Sequence, residues 1–229
     1  MRTLAGRLPE QFIEPIEMTS YQRRLTAMAV SLMLRYPEDD FLSRVDAVAE
    51  QLPELPDPVA KDIAAFVAHA RSQGLRALQE EYVETFDQRR RCSLFLSYYA
   101  VGDTRQRGAA ILAFRQQLAG LGMEEISEEL PDHLCVVLEA IALTEGSSHD
   151  TAVEMVASHR EGVEVMRRAL NDVGSAYVSL ISALCMALPR IDEATADRYI
   201  ELIRKGPPAE LVGLDTSPLP YPTSRPNLV

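Results

Sequence analysis

The chain has 229 residues, of which 47% are apolar and 25% charged, and its 34 acidic against 23 basic residues give a formal net charge of −11. This length and composition are typical of a soluble globular protein with a sizeable core. The acidic balance excludes nucleic acid as the main partner and argues against binding to anionic membrane surfaces, because both need a concentrated basic surface.

Apolar residues recur at helical spacing along most of the chain. In the first predicted helix, Leu25, Met28 and Leu32 lie three or four residues apart. A later helix is predicted to begin with Asp57 as its N-cap and Pro58 at its first position. In chain order, the predicted helices span residues 20–36, 40–52, 58–70, 75–86, 92–101, 104–121, 131–144, 150–170, 172–188 and 192–204.

The predicted fold class is all-α, a single compact multi-helix domain, because no segment alternates apolar and polar residues as a half-buried strand would. Residues 1–18, with Pro9 and Pro15, are predicted to form a flexible leader, and residues 19–205 the helical domain. Residues 206–229 hold six of the 14 prolines and are predicted to form a disordered, proline-rich tail.

The positions of the cysteines and the lengths of the apolar runs indicate the cellular compartment of the protein. Cys92, Cys135 and Cys185 lie far apart within helical patterns, which indicates buried, reduced thiols rather than a disulfide framework. The N-terminal segment lacks the apolar stretch of a secretory signal, and no run of 18 apolar residues exists. We therefore expect a cytoplasmic protein that does not insert into a membrane.

The residues that usually carry catalysis or hold cofactors are not arranged for either. His69, His133, His149 and His159 show no metal-ligand spacing, and the last two are expected on a solvated surface. No glycine-rich phosphate loop follows a strand, and the thiols have no partner for nucleophilic catalysis. We predict no enzymatic activity, no metal and no cofactor.

The charge pattern indicates a binding protein instead. Between Gln116 and His159 there is no Lys or Arg, whereas six arginines lie between residues 89 and 115. An acidic helical surface suits a basic ligand, and the aromatic residues between Tyr82 and Tyr99 could line a groove for an amphipathic peptide helix, with core packing as the alternative. The acidic segment contains Glu124, Glu125, Glu128, Glu129, Asp132, Glu139, Glu145, Asp150 and Glu154.

The local sequence ELPDHL, residues 129–134, is the most distinctive short feature. Pro131 is predicted at the first position of a helix, which places Asp132 in the first turn, where the helix dipole favours a carboxylate. Two interpretations remain open. The segment is either a plain helix start with His133 exposed, or a polar lip that accepts hydrogen bonds from a bound basic peptide.

Several segments, taken in order, resemble the NarJ family of respiratory nitrate reductase assembly chaperones, which are relatives of the TorD and DmsD chaperones for molybdoenzymes. LMLRYP at residues 32–37 is similar to the family's opening helix. The other matching segments are Tyr82-x-x-x-Phe86-Asp87, Ser93-Leu94, Gly102-x-x-Arg105-x-Arg107-Gly108 and ELPDHL.

The resemblance implies a helical protein without catalytic activity. Such a protein binds the N-terminal peptide of the apo catalytic (alpha) subunit of nitrate reductase in the cytoplasm and keeps it competent for molybdenum cofactor insertion and membrane assembly. A chaperone for a TMAO or DMSO reductase, or a non-enzymatic helical adaptor, are the alternatives, and a monomer is favoured. The residues carried over or added as peptide-binding are Pro131, Asp132, His133, Tyr82, Asp87, Gly102 and Arg105.

Overall fold

The computed structural model describes residues 12–102, 106–123 and 129–190. In this part of the chain the regular structure is helical, which confirms the predicted all-α class. A π-helical turn at Val83–Asp87 continues α4, and 3₁₀ turns lie at Leu52–Glu54 and Arg90–Cys92. The α-helices are α1 (Ser20–Leu34), α2 (Phe41–Gln51), α3 (Asp57–Ser72), α4 (Leu75–Tyr82), α5 (Leu96–Val101), α6 (Gln106–Gly120), α7 (Leu134–Leu143), α8 (Gly146–Ala157), α9 (Arg160–Asp172) and α10 (Val178–Ala187).

Helix α1 lies at the centre of the bundle, packed against α7 and α10 and touching α2 and α3. It begins with a capping box: the Thr19 hydroxyl accepts from the Gln22 N–H, and the Gln22 side chain accepts from the Thr19 N–H. Helix α10 also packs on α3 and α9, while α8 packs on α7 and α6 on α5. The core therefore runs through α1, α7 and α10.

Two predicted helix boundaries differ from those in the structure. Residues 150–170, predicted as a single helix, contain a break between α8 and α9, because the side chains of Ser158 and His159 both turn back to the Met155 carbonyl. Helix α3 has Pro56 rather than Asp57 at its N-cap position. The helix predicted at 192–204 and the tail predicted at 206–229 lie outside the described residues.

Residues 12–18, predicted to belong to the flexible leader, have no regular secondary structure, but Ile13, Ile16 and Met18 among them pack against the helical core. The Ile16 N–H donates to the Met186 carbonyl (3.0 Å), and the Ile13 N–H donates to the Glu164 carboxylate (3.0 Å). The boundary expected at residue 18 is therefore wrong for this stretch, because its backbone is tied to α9 and α10.

A buried ion cluster anchors this N-terminal stretch. The Glu164 side chain is fully buried and lies 3.3 Å from the Arg160 guanidinium and 2.7 Å from that of Arg167. Arg160 also donates to the carbonyls of Leu188 and Ile13. A buried carboxylate with two arginines and a backbone N–H keeps its charge compensated, so the cluster joins residue 13, α9 and the end of α10.

The prediction that His149 and His159 lie on a solvated surface is wrong, because both side chains are buried. The His149 ring pairs with the Ile141 carbonyl (3.0 Å), and the His159 ring packs on Phe114 with centroids 5.2 Å apart. Burial lowers the pKa of His159 to about 4, with an opposing contribution from its hydrogen bond to the Met155 carbonyl.

The three cysteines are buried and unpaired, as predicted. Burial raises the pKa of Cys135 to about 12, so this thiol is protonated at neutral pH. The cysteines therefore serve as small apolar side chains of the core.

Candidate functional site

Helices α5 and α7 start later than the sequence predicts, because the chain before each pairs with the chain before the other. The Leu96 N–H donates to the Asp132 carbonyl (2.9 Å), and the Leu134 N–H donates to the Leu94 carbonyl (2.7 Å). These bonds form a short antiparallel pairing that positions both helix starts. We call the paired segments, residues 94–97 and 131–134, the bridge.

Asp132 lies inside the bridge, with its side chain closed to solvent. Its carboxylate Oδ2 accepts a hydrogen bond from the Ser97 hydroxyl (2.5 Å), and Oδ1 has no hydrogen-bond partner among the described residues. Pro131 is also buried, and it precedes α7 rather than occupying its first position. Direct contact of either residue with a peptide would require this region to open.

His133 is the N-cap of α7, and its ring Nδ1 accepts from the Cys135 N–H (3.3 Å). The ring is buried and meets the Phe95 ring edge-on at 5.2 Å, so the interpretation of an exposed histidine at a plain helix start is wrong. Burial lowers the pKa of His133, while the charges of Glu129 and Asp132 oppose that shift. The neutral ring is the form that caps the helix.

Of the other predicted site residues, Tyr82 lies in the core. Its ring packs 4.8 Å from that of Phe86 and 6.1 Å from that of Tyr177. Burial raises the pKa of the Tyr82 phenol, and the neighbouring Cys135 and Asp87 raise it further. Asp87 itself is exposed at the end of the π-helical turn.

Gly102 ends α5 with φ 64° and ψ −165°, a conformation that is essentially restricted to glycine. Its role in the fold is therefore to turn the chain out of α5. Arg105 lies outside the described residues. Arg107, two positions further on, places its guanidinium 5.0 Å from the centre of the Phe95 ring, so it packs beside the bridge.

Tyr36 was not predicted as a site residue, although it lies in the LMLRYP segment. It is 43% exposed, and its ring meets that of Tyr82 edge-on at 5.4 Å. Beside it a cleft of about 420 Å³ opens against the π-helical turn, with an aromatic side, two carboxylates and one arginine. The cleft is lined by Tyr36, Arg76, Gln79, Glu80, Val83, Glu84 and Gln88.

The acidic segment does not form one uniform face. Among its described carboxylates, Glu139 is paired with Arg35 and Glu145 with Arg24. Asp132 is buried, whereas Glu129, Asp150 and Glu154 are exposed. Within the described ranges no group of three His, Cys, Asp or Glu side chains is placed to hold a metal, and no helix is long and apolar enough to cross a membrane.

The arrangement can be compared with known proteins. Residues 52–183 match the model of the family described as nitrate reductase delta subunit, a span that includes the π-helical turn, the bridge and most of α10. The chain belongs to the nitrate reductase delta subunit family. The expected resemblance to NarJ-type proteins is thereby confirmed.

Similar proteins support the assignment of this chain to the nitrate reductase delta subunit family. The chain is 26% identical over 175 residues to the probable nitrate reductase molybdenum cofactor assembly chaperone NarJ of Bacillus subtilis, covering 76% of this chain and 94% of that one. It is 30% identical over 155 residues to the nitrate reductase-like protein NarX of Mycobacterium tuberculosis, covering 68% of this chain but spanning only 23% of NarX. A putative redox enzyme maturation protein from Archaeoglobus fulgidus shares the fold, with a TM-score of 0.53 at 22% identity over 77% of this chain and 96% of that one.

Proposed function

We propose that this protein is an assembly chaperone for respiratory nitrate reductase. It binds the N-terminal segment of the apo catalytic subunit in the cytoplasm and keeps that subunit competent for molybdenum cofactor insertion and membrane assembly. The observation that carries the proposal is the alignment with the Bacillus subtilis chaperone over 94% of that protein's length, together with the family match over residues 52–183.

The charge and the surface chemistry suit this task. A net charge of −11 attracts a basic segment and speeds its encounter, while apolar side chains on a helical surface supply the affinity. Reversible binding of a client requires a dissociation constant of about micromolar to nanomolar, or about −8 to −12 kcal/mol. The protein acts by binding, and we propose no chemical step for it.

In this proposal the predicted peptide-binding residues have a structural role. Pro131, Asp132 and His133 are buried in the bridge, and Tyr82 is buried beneath Tyr36. We propose that they position the elements that carry the peptide surface, instead of forming that surface themselves.

The test is a strain that lacks this protein. We expect the nitrate reductase catalytic subunit to be synthesised but to carry little molybdenum, and membrane nitrate reductase activity to fall by at least about tenfold, because no binding partner then keeps the apo subunit competent for cofactor insertion. The matched control is TMAO or DMSO reductase activity in the same strain, which should be unchanged. Loss of that activity instead would identify the other molybdoenzyme as client. Normal nitrate respiration in the strain that lacks this protein would favour the alternative function, a non-enzymatic helical adaptor.

A further inference from the structure

Residues 12–18, which we call the strap, carry a short sequence repeat with a period of three. Ile13 and Ile16 lie three positions apart, and each is followed by a glutamate. Both isoleucines pack against the core, whereas the two glutamates, Glu14 and Glu17, are exposed. A period of three is that of the polyproline II helix, in which many short peptide motifs bind to surface grooves. The strap therefore has the sequence pattern of a bound peptide.

The polar groups under the strap bind its backbone. The Glu164 carboxylate accepts from the Ile13 N–H (3.0 Å), and the Arg160 guanidinium donates to the Ile13 carbonyl. Two buried side chains of opposite charge thus hold the N–H and the C=O of one residue. The Ile16 N–H donates to the Met186 carbonyl (3.0 Å). Because every residue except proline offers the same N–H and C=O, these groups suit many segments, and the two isoleucines supply the sequence preference.

The charges beside the strap favour an acidic ligand. In a chain with a net charge of −11, four arginines lie next to the strap or to its Glu164 anchor, namely Arg23, Arg160, Arg167 and Arg190. Arg190 pairs with both carboxylate oxygens of Glu14, and Arg23 lines the same cleft as Glu17. The other two arginines share the Glu164 carboxylate. A basic segment, such as the one proposed for the client, would be repelled here.

The strap covers its site incompletely. A cleft of about 900 Å³ opens along residues 14–19 and reaches the start of α1 and the end of α10. Protein cores have few voids larger than a water molecule, so a cleft of this size means that the strap is held at a few points only. A segment with few buried contacts opens at a lower free energy than the helices beneath it.

We propose that Arg160, Glu164, Arg190 and the end of α10 form a peptide-binding site, the strap site, which the strap fills in cis. The ligand in trans is an acidic segment of a partner protein. It presents two apolar side chains three residues apart, each followed by a carboxylate, and it competes with the strap. Exchange of straps between two copies would gain no contact that one copy lacks, and it would bring together two chains with a net charge of −11 each. The inference does not depend on the proposed function.

The experiment measures binding of a fluorescent synthetic peptide, with the sequence of residues 12–18, to the full chain by anisotropy. A tethered strap has an effective concentration of about millimolar at its own site, so it weakens a free peptide that has micromolar affinity. Two strap variants reduce this competition without changing the strap site. Ile13→Ser combined with Ile16→Ser removes the apolar contacts, and Glu14→Arg breaks only the exposed pair with Arg190.

We expect the double serine variant to bind the peptide at least about tenfold more tightly than the wild type does. Glu14→Arg should tighten binding by about threefold, since an exposed ion pair contributes little. Arg190→Glu, added to the double serine variant, should weaken the peptide by about two- to fivefold, and a peptide that carries Glu14→Lys should recover this loss. A peptide with the same residues in scrambled order is the matched control.

Thermal unfolding checks that each variant keeps its fold. If the double serine variant unfolds, Glu14→Arg provides the comparison, because that side chain is exposed. Strap variants that bind the peptide no better than the wild type, or no better than the scrambled peptide, overturn the proposal. Binding that Arg190→Glu leaves unchanged overturns the assignment of an acidic ligand. A wild-type dimer that the strap variants dissociate would assign the strap site to a second copy, also against the proposal.

Discussion

Replacement of Ser97 by alanine is expected to destabilise the fold through Asp132. The Ser97 hydroxyl is the hydrogen-bond donor to a carboxylate that is closed to solvent, and the other carboxylate oxygen has no partner among the described residues. Hydrogen bonds to charged groups stabilise proteins by about 1.5–3 kcal/mol, and a buried carboxylate that loses its donor keeps its desolvation cost. We therefore expect Ser97→Ala to lower the free energy of unfolding by about 2 kcal/mol.

A double-mutant cycle with Asp132→Ala isolates this contact. Urea unfolding followed by circular dichroism gives the free energy of unfolding of the wild type, the two single variants and the double variant. Because the two side chains contact each other, we expect a coupling energy of about 1–2 kcal/mol between them. In a chain of this size, a loss of 2 kcal/mol lowers Tm by about 4–8 °C.

The same variants distinguish a positioning role from direct contact with the peptide. If Asp132 supports the bridge, Ser97→Ala and Asp132→Ala both reduce stability, and peptide affinity at a temperature where the fold persists changes by less than about threefold. A coupling energy below about 0.5 kcal/mol would refute the reasoning about the hydrogen bond. Strong loss of peptide binding in Asp132→Ala with unchanged stability would refute the buried placement.

Three further changes test other parts of the fold. A Cβ at Gly162 would lie 2.6 Å from the Tyr99 Cβ. Gly162→Ala should therefore push α9 away from α5 and lower the free energy of unfolding, measured in urea, by about 1–3 kcal/mol. His159 has a pKa of about 4 in the fold against about 6.5 unfolded. The unfolded chain therefore binds more protons between these values, and stability should fall by about 3 kcal/mol as pH drops from about 6.5 to about 4, a slope that His159→Gln removes. Glu164→Gln should cost about 3–5 kcal/mol and speed hydrogen exchange at the Ile13 amide, because the buried Arg160 and the half-buried Arg167 lose their carboxylate.

Matched controls accompany the Gly162 and Glu164 predictions. Gly108 is a helical glycine with open space around its Cβ position, so Gly108→Ala should leave stability unchanged or raise it by up to about 1 kcal/mol. Glu161 is exposed on α9, and Glu161→Gln should change stability by less than about 0.5 kcal/mol. Equal losses in Gly108→Ala and Gly162→Ala would contradict the contact with Tyr99. Unaltered exchange at Ile13 in Glu164→Gln would contradict the anchoring of residues 12–18.

Helical periodicity predicted the regular parts of the fold because it is a local property. The first helix was predicted at 20–36 and found at Ser20–Leu34, and the second was predicted at 40–52 and found at Phe41–Gln51. The late starts of α5 and α7 could not be predicted in this way. They depend on hydrogen bonds between residues 94–96 and 132–134, which are distant in sequence, and tertiary pairing overrides local helix propensity there.

Polar residues on the chain were harder to place than apolar ones. The sequence around His149 is rich in Ser, Gly and Asp, which predicted exposure, yet the ring is buried against the Ile141 carbonyl. Glu164 is another buried polar residue, and its charge is compensated by Arg160 and Arg167 at neighbouring helical positions. Spacing of opposite charges indicates that such a cluster is possible, but its burial also depends on contacts with Ile13 and with the end of α10, which are distant in sequence.

The motif residues Asp132 and His133 show what a sequence pattern can reveal about this fold. They form a recognisable motif because the bridge needs a buried hydrogen-bond acceptor and a helix cap at fixed positions. Apolar residues at helical spacing are less informative, because the same spacing is typical of every helix that faces a core. The motif therefore marks the place where two distant segments pair, whereas the periodicity marks only the helices themselves.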